Sequence, residues 1–182
     1  MSTTVTAVPT GTWNVDPVHS RVGFSVKHLG ISTVRGEFRN YDGSLVVGED
    51  GSITASGTVA VDSVDTSQAD RDGHLKSEDF FDAENYPELT FQSTSVVAND
   101  DDTYEITGDL TLRGVTQPIT LTAEIGGGET DAYGFERVGL EATGTISRSA
   151  FGMKFNHALG SGNAVVSDKV KLELDISAVK AA

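Results

Sequence analysis

The stretch "RDGHL" packs a guanidinium, a carboxylate and an imidazole together as Arg71, Asp72 and His74. A catalytic reading makes His74 a general base oriented by Asp72. The spacing opposes it, because residues two apart on a helix do not face each other. Arg71 and His74, three apart, share a helix face and together suit an anionic or polar head group. The plainer reading pairs Arg71 with a nearby acid and lets His74 cap a short helix.

Two more candidates stand at strand ends. His28 is in phase with Val22, Phe24 and Val26, and Arg148 with Val138, Leu140 and Ile146, just past its strand. A buried cation must be paired or close to water. Each therefore marks where a dry interior reaches a polar mouth, unless the strand has already ended and the side chain is solvated. The remaining histidines are His19 in "DPVHS" and His157 in "FNHAL". No HxH or HExxH spacing occurs, no carboxylates have ligand spacing and there is no cysteine, so neither metal site nor disulfide is expected. GxSxG, the P-loop and a helix-opening GxGxxG are missing too. No catalytic residue and no cofactor are assigned.

The elements that must hold these residues are strands. At 182 residues the chain suits one domain with a core of its own. Alternation of apolar and polar residues marks Thr12–Asp16, Arg21–His28, Thr33–Asn40, Ser44–Val47 and Ser52–Asp62. It resumes at Leu89–Val97, Thr103–Arg113, Gln117–Ile125, Phe135–Ser147 and Lys169–Ala178. Turn signals lie between them in "YDGS", "EDGS", "NDDD" and "GGGETD", with Gly126–Gly128 read as a hairpin tip. Ser2–Thr10 reads as a loose lead. Many antiparallel strands with short turns mean a sandwich or a barrel, and the pattern favours a barrel with a usable inside. Its apolar phases include Phe24, Val26, Phe38, Leu110 and Leu140. Gly36, Gly57, Gly108 and Gly144 fall in the same phases, either as kinks that close the barrel or as thin spots that leave room.

Between Thr66 and Phe91 the alternation stops. Thr66 or Ser67 can cap a helix there, with Asp70 in capping-box position. Gly73 limits that helix, and Ser77 starts a second. The segment reads as one or two short helices that plug or lid a barrel end.

The net charge of −14, with 13 Lys and Arg scattered among 27 acids, argues against nucleic acid and against stable docking on anionic membrane. The N-terminus has no secretory pattern and no apolar run is long enough to span a bilayer, so the default compartment is the cytoplasm.

Four blocks in order then resemble the YceI-like polyisoprenoid-binding family. They are "DPVHSRVGFSVKHLGISTVRGEF" from Asp16, "RDGHLKSEDFFDAENYPELTF" from Arg71, "GDLTLRGVTQPITL" from Gly108 and "SRSAFGM" from Ser147. The resemblance implies an all-β fold: an eight-stranded antiparallel lipocalin-like barrel with a short helical insertion around 67–82. It also implies a single barrel domain over 11–182, a long apolar ligand in the lumen and, in many members, a homodimer. Phe80 and Phe81 are then expected on the barrel or the ligand chain, with Arg71, His74 and Arg148 near a head group. The leading expectation is a non-catalytic carrier or store of an isoprenoid or other long-chain lipid. The competing readings are an enzyme acting on a lipid or quinone precursor in the same cavity, and a filled barrel serving as a stress or interaction protein.

Overall fold

The computed structural model describes residues 8–99, 103–156 and 165–181. The strands are β1 (Gly11–Val15), β2 (Arg21–His28), β3 (Ser32–Phe38), β4 (Tyr41–Val47), β5 (Ile53–Ala60) and β6 (Val64–Asp65). After the helix α1 (Ala69–Lys76) come β7 (Glu88–Ala98), β8 (Thr103–Leu112), β9 (Val115–Thr130), β10 (Glu136–Ser147) and β11 (Val166–Lys180). All pairings are antiparallel, in the order β1-β4-β5-β7-β8-β9-β10-β11, and β11 returns to β1. Eight strands thus close into a barrel.

The long strand β11 serves two neighbours on one edge. Its C-terminal end pairs with β1 (Val15 opposite Ala178), while Val166 to Asp175 pair with β2. From there β2, β3 and β6 continue the wall, and α1 packs beside β6. One part of the core gathers Trp13, which is 0% exposed, with Leu45, Val47, Tyr104, Ile125 and Val138. Part of the expected loose lead belongs to this core. Val8 is 2% exposed, and the Trp13 indole donates to the Pro9 carbonyl at 3.0 Å; residues 1–7 lie outside the described residues.

Two turn assignments and one helix cap need correction. "YDGS" is strand, not turn, because Gly43 takes its place in the ladder opposite Gly57 and the chain reverses at Arg39 and Asn40 instead. Gly126–Gly128 lie within β9, and the reversal follows at Asp131. There the Asp131 carboxylate accepts from the backbone N–H of Tyr133 (2.9 Å) and Phe135 (3.0 Å), and Gly134 adopts a left-handed φ of 87°. A side-chain-stabilised turn outcompeted the glycine run. Third, α1 is capped by Gln68, whose Oε1 accepts from Arg71 N at 2.6 Å, and not by Thr66 or Ser67. Thr66 is already committed through its N–H and hydroxyl to Asp72 (2.8 and 2.5 Å), and Ser67 has a φ of 65°. The helix runs through Gly73, where an added Cβ would meet nothing within 4 Å. No second helix follows; Ser77 closes α1 by donating its N–H to the His74 carbonyl, and turns continue to residue 85.

At the β1–β2 corner, Asp16 gathers Arg137 of β10 (2.8 Å), His19 Nδ1 (2.7 Å) and the N–H of Val18 (3.0 Å). The His19 and Arg137 contacts hold its carboxyl at about 2 rather than the ordinary 3.8. A lowered carboxylate contributes stability that is complete above its unfolded pKa and lost as pH falls through the folded one. Asp16→Asn is expected to cost about 1–2 kcal/mol at neutral pH and to flatten the fall in stability between about pH 4 and 2. Urea unfolding at a series of pH values measures both.

Candidate functional site

The inward phases of the strands surround an apolar cavity of about 270 Å³. Phe24, Val26 and Phe38 enter from β2 and β3, Leu110 from β8, Leu140 from β10 and Leu172 from β11. The alternation read from the sequence points the same way, since each strand shows one face to the lumen and the other to water. The segment between β6 and β7 supplies Leu75, Phe80 and Phe81 as a lid.

The adjacent phenylalanines of that lid point to different walls. Phe81 packs edge-on against Phe38 (centroids 5.7 Å apart), which in turn meets Phe24 at 5.7 Å. Phe80 packs against Phe155 at 5.3 Å and lies under the Arg148 guanidinium at 6.0 Å. The lid is thereby pinned to both β3 and the segment that precedes β11.

Arg148 is 3% exposed and also borders the cavity. Its guanidinium donates to three backbone carbonyls: Nε to Ser167 (2.8 Å), Nη1 to Met153 (2.8 Å) and Nη2 to Val166 (3.0 Å). Burial lowers its pKa, and the charge of Asp168 partly opposes that shift. Arg148 is thus buried at the cavity border, where it ties together the ends of the segment that joins β10 to β11.

The other charged candidates lie away from the cavity lining. Arg71 is exposed, and its guanidinium donates to the Thr66 hydroxyl and carbonyl, each at 2.7 Å, rather than to an acid. His74 is also exposed; its Nε2 lies 2.9 Å from Asp79, and its ring packs on Phe80 (5.0 Å) and Phe155 (4.9 Å). His74 and Arg148 thus share the Phe80 ring, while Arg71 turns to Thr66. His28 is half-buried opposite Ser32 and Val166, one phase position beyond the lining residue Val26. His157 lies outside the described residues. Among the described residues no three His, Asp or Glu side chains form a group able to hold a metal.

The glycines divide into two kinds. A Cβ on Gly36 would meet the Phe24 ring at 2.5 Å, one on Gly144 would meet Leu121 at 2.6 Å, and one on Gly108 would collide with Phe91. At these three places neighbouring side chains fill the space. Gly57 differs: it borders the cavity, and its Cβ would meet only the Asp42 carbonyl, at 3.3 Å. Opposite it stands Gly43, so this patch of wall is bare backbone.

Several lining residues were not singled out from the sequence. Leu89 and Phe91 follow the apolar phase of β7 and could have been found by it. Tyr41 could not, because "YDGS" reads as a turn; its burial raises the phenol pKa, with Glu37 and Asp16 adding to the effect. Met153 follows an irregular turn and carries no periodic signal.

A closed antiparallel barrel around a lidded apolar lumen is the architecture of the lipocalin-like class. The chain matches the YceI-like domain over residues 13–178 and belongs to that family. It is 44% identical over 138 residues to the protein YceI of Escherichia coli, covering 75% of this chain and 72% of that one. The crystal structure of Burkholderia cenocepacia BcnA superposes with a TM-score of 0.76 at 22% identity, covering 90% of this chain and 98% of that one. A polyisoprenoid binding domain from Saccharophagus degradans, implicated in plant cell wall breakdown, has a TM-score of 0.68 at 15% identity, with 93% and 98% covered. The last two likenesses concern the fold.

Proposed function

We propose that this protein binds one long apolar chain, an isoprenoid or similar lipid, in the barrel lumen and serves as its carrier or store without transforming it. The observation that carries this reading is the apolar cavity itself, whose only bordering Lys or Arg among the described residues, Arg148, already donates to three carbonyls. Such a lumen recognises chain rather than head group. Each five-carbon prenyl unit buried is worth up to about 3–4 kcal/mol, at ~0.8 kcal/mol per carbon. Ordering a flexible chain removes much of that gain. The polyisoprenoid-binding name of the Saccharophagus domain, attached to the same fold, supports the choice of ligand class.

The volume bears on how the chain enters. About 270 Å³ is slightly below the range of ~300–1,000 Å³ usual for ligand pockets. A long prenyl chain therefore needs the lid carrying Phe80 and Phe81 to shift outward. The test is titration of lipid-free protein with prenyl alcohols of increasing length, followed by extraction. The proposal expects one chain per protein, recovered unaltered, and faster amide exchange than binding gives elsewhere in the segment 77–87 when longer chains are bound. A product formed at a rate with a bell-shaped pH profile would favour the enzyme reading.

A further inference from the structure

The acidity of the chain conceals a local reversal. Of the 13 basic residues, Lys27, Arg35, Lys169 and Lys171 all lie exposed on the outer face of β11, β2 and β3, toward the end where β2 turns into β3. Register fixes their grouping. Lys171 stands opposite Ser25, which stands opposite Arg35, and Lys27 stands opposite Thr33 and donates to its hydroxyl at 2.8 Å. Among the described residues, Lys27, Arg35 and Lys169 have no ion-pair partner, and Lys171 has only a loose contact with Glu173 at 3.7 Å.

Most acids on this wall lie toward its other end, where Arg21 and Arg39 stand, and Asp175 is placed opposite Arg21. Glu37 meets Arg21 at 3.2 Å and Arg39 at 2.9 Å, and Glu173 also takes Arg21 at 3.9 Å. Asp168 is held by the Ser147 hydroxyl (2.5 Å) and the Ser149 N–H (3.0 Å). The acids of α1 come after β3 and β6 in the order of the wall, away from β11. Against Asp168 and Glu173, the four cations leave this end of the three strands with an excess of positive charge.

An apolar tip adjoins it. The turn from β2 to β3 passes through left-handed Leu29 (φ 57°) and Gly30 (φ 72°), and Leu29 N donates to the Val165 carbonyl at 2.9 Å. Beyond them Ile31 is 80% exposed. One exposed isoleucine is ordinary. An isoleucine projecting beside a face whose four cations outnumber the neighbouring acids Asp168 and Glu173 is a different case. Apolar tips enter the head-group layer of a bilayer, and neighbouring Lys and Arg meet its anionic lipids.

We propose that this end of the barrel docks reversibly on an anionic lipid surface through Ile31 and the face formed by Lys27, Arg35, Lys169 and Lys171. Acids more than about 8 Å away are largely screened at physiological salt, so the local charge decides the contact. The docking face is independent of what the lumen holds.

The test is co-sedimentation of the full chain with vesicles of phosphatidylcholine alone or mixed with phosphatidylglycerol. The wild type is expected to sediment with the mixed vesicles only, and less as sodium chloride is raised. Lys27→Gln and Arg35→Gln are expected to lower the partition coefficient about fivefold each. Ile31→Asp is expected to lower it further, with the unfolding transition unchanged. Equal sedimentation with both vesicle types, or variants that sediment like the wild type, would overturn the proposal. Binding to a duplex DNA oligonucleotide with indifference to vesicles would overturn it as well and assign the face to nucleic acid.

Discussion

Arg148→Ala is expected to lose about 3 kcal/mol of stability, because the buried Met153 carbonyl and the half-buried Ser167 carbonyl lose this donor, while the Val166 carbonyl keeps Asn156 Nδ2 at 2.8 Å. Each unsatisfied buried polar group costs about 1–3 kcal/mol, and the void left by the guanidinium adds to the loss. For a domain of this length the melting temperature is expected to fall by roughly 6–12 °C. Arg148→Lys recovers only part of this, since one nitrogen cannot reach Ser167, Met153 and Val166 with the geometry of a planar fork. Arg71→Ala, at an exposed site where two contacts to Thr66 are lost, is expected to cost about 1 kcal/mol or less. Thermal and urea unfolding of the three variants separate the roles. A head-group ligand at position 148 would instead lose affinity with stability preserved.

The second large effect concerns Gly57. Filling the bare patch with leucine places four carbons in space that the guest would otherwise use. At ~0.8 kcal/mol per excluded carbon the upper limit is about 3 kcal/mol of binding, so affinity for a long prenyl alcohol is expected to fall at least tenfold. The longest chain retained should shorten by one five-carbon unit. Neither glycine of the pair has a left-handed φ, so the backbone accepts a side chain, although the Asp42 carbonyl at 3.3 Å must give slightly. Thr54→Leu, at an exposed position of the same strand outside the cavity lining, is the control and should leave chain length unchanged. Calorimetric titration with alcohols of graded length reads both variants. An unchanged length preference in Gly57→Leu would mean that the guest does not reach this wall.

The contrast between Gly57 and Gly108 marks how far sequence can be read here. Both glycines stand in the apolar phase, so periodicity places them on the inner wall with Phe24, Leu110 and Leu140. Whether the space beside each is open depends on a side chain from the next strand, Phe91 in the case of Gly108, and register decides that. The phases themselves were legible because one face of every strand is buried. Eight-strand closure came from the family blocks, since alternation alone also fits a sandwich. Arg148 shows the other limit. Its position just past a strand is visible in "SRSAFGM", but its three acceptors are backbone carbonyls, which carry no residue signature. Likewise, counting charges described the chain as uniformly acidic, and only the pairing of β11, β2 and β3 gathers four cations on one face.

Native mass spectrometry of freshly purified protein, followed by solvent extraction, measures the contents of the lumen directly. A single long-chain species bound at one per protein, released intact and retained less by Gly57→Leu, is the predicted result. A mass equal to the bare chain in repeated preparations, together with no uptake of added prenyl alcohols, would contradict the account.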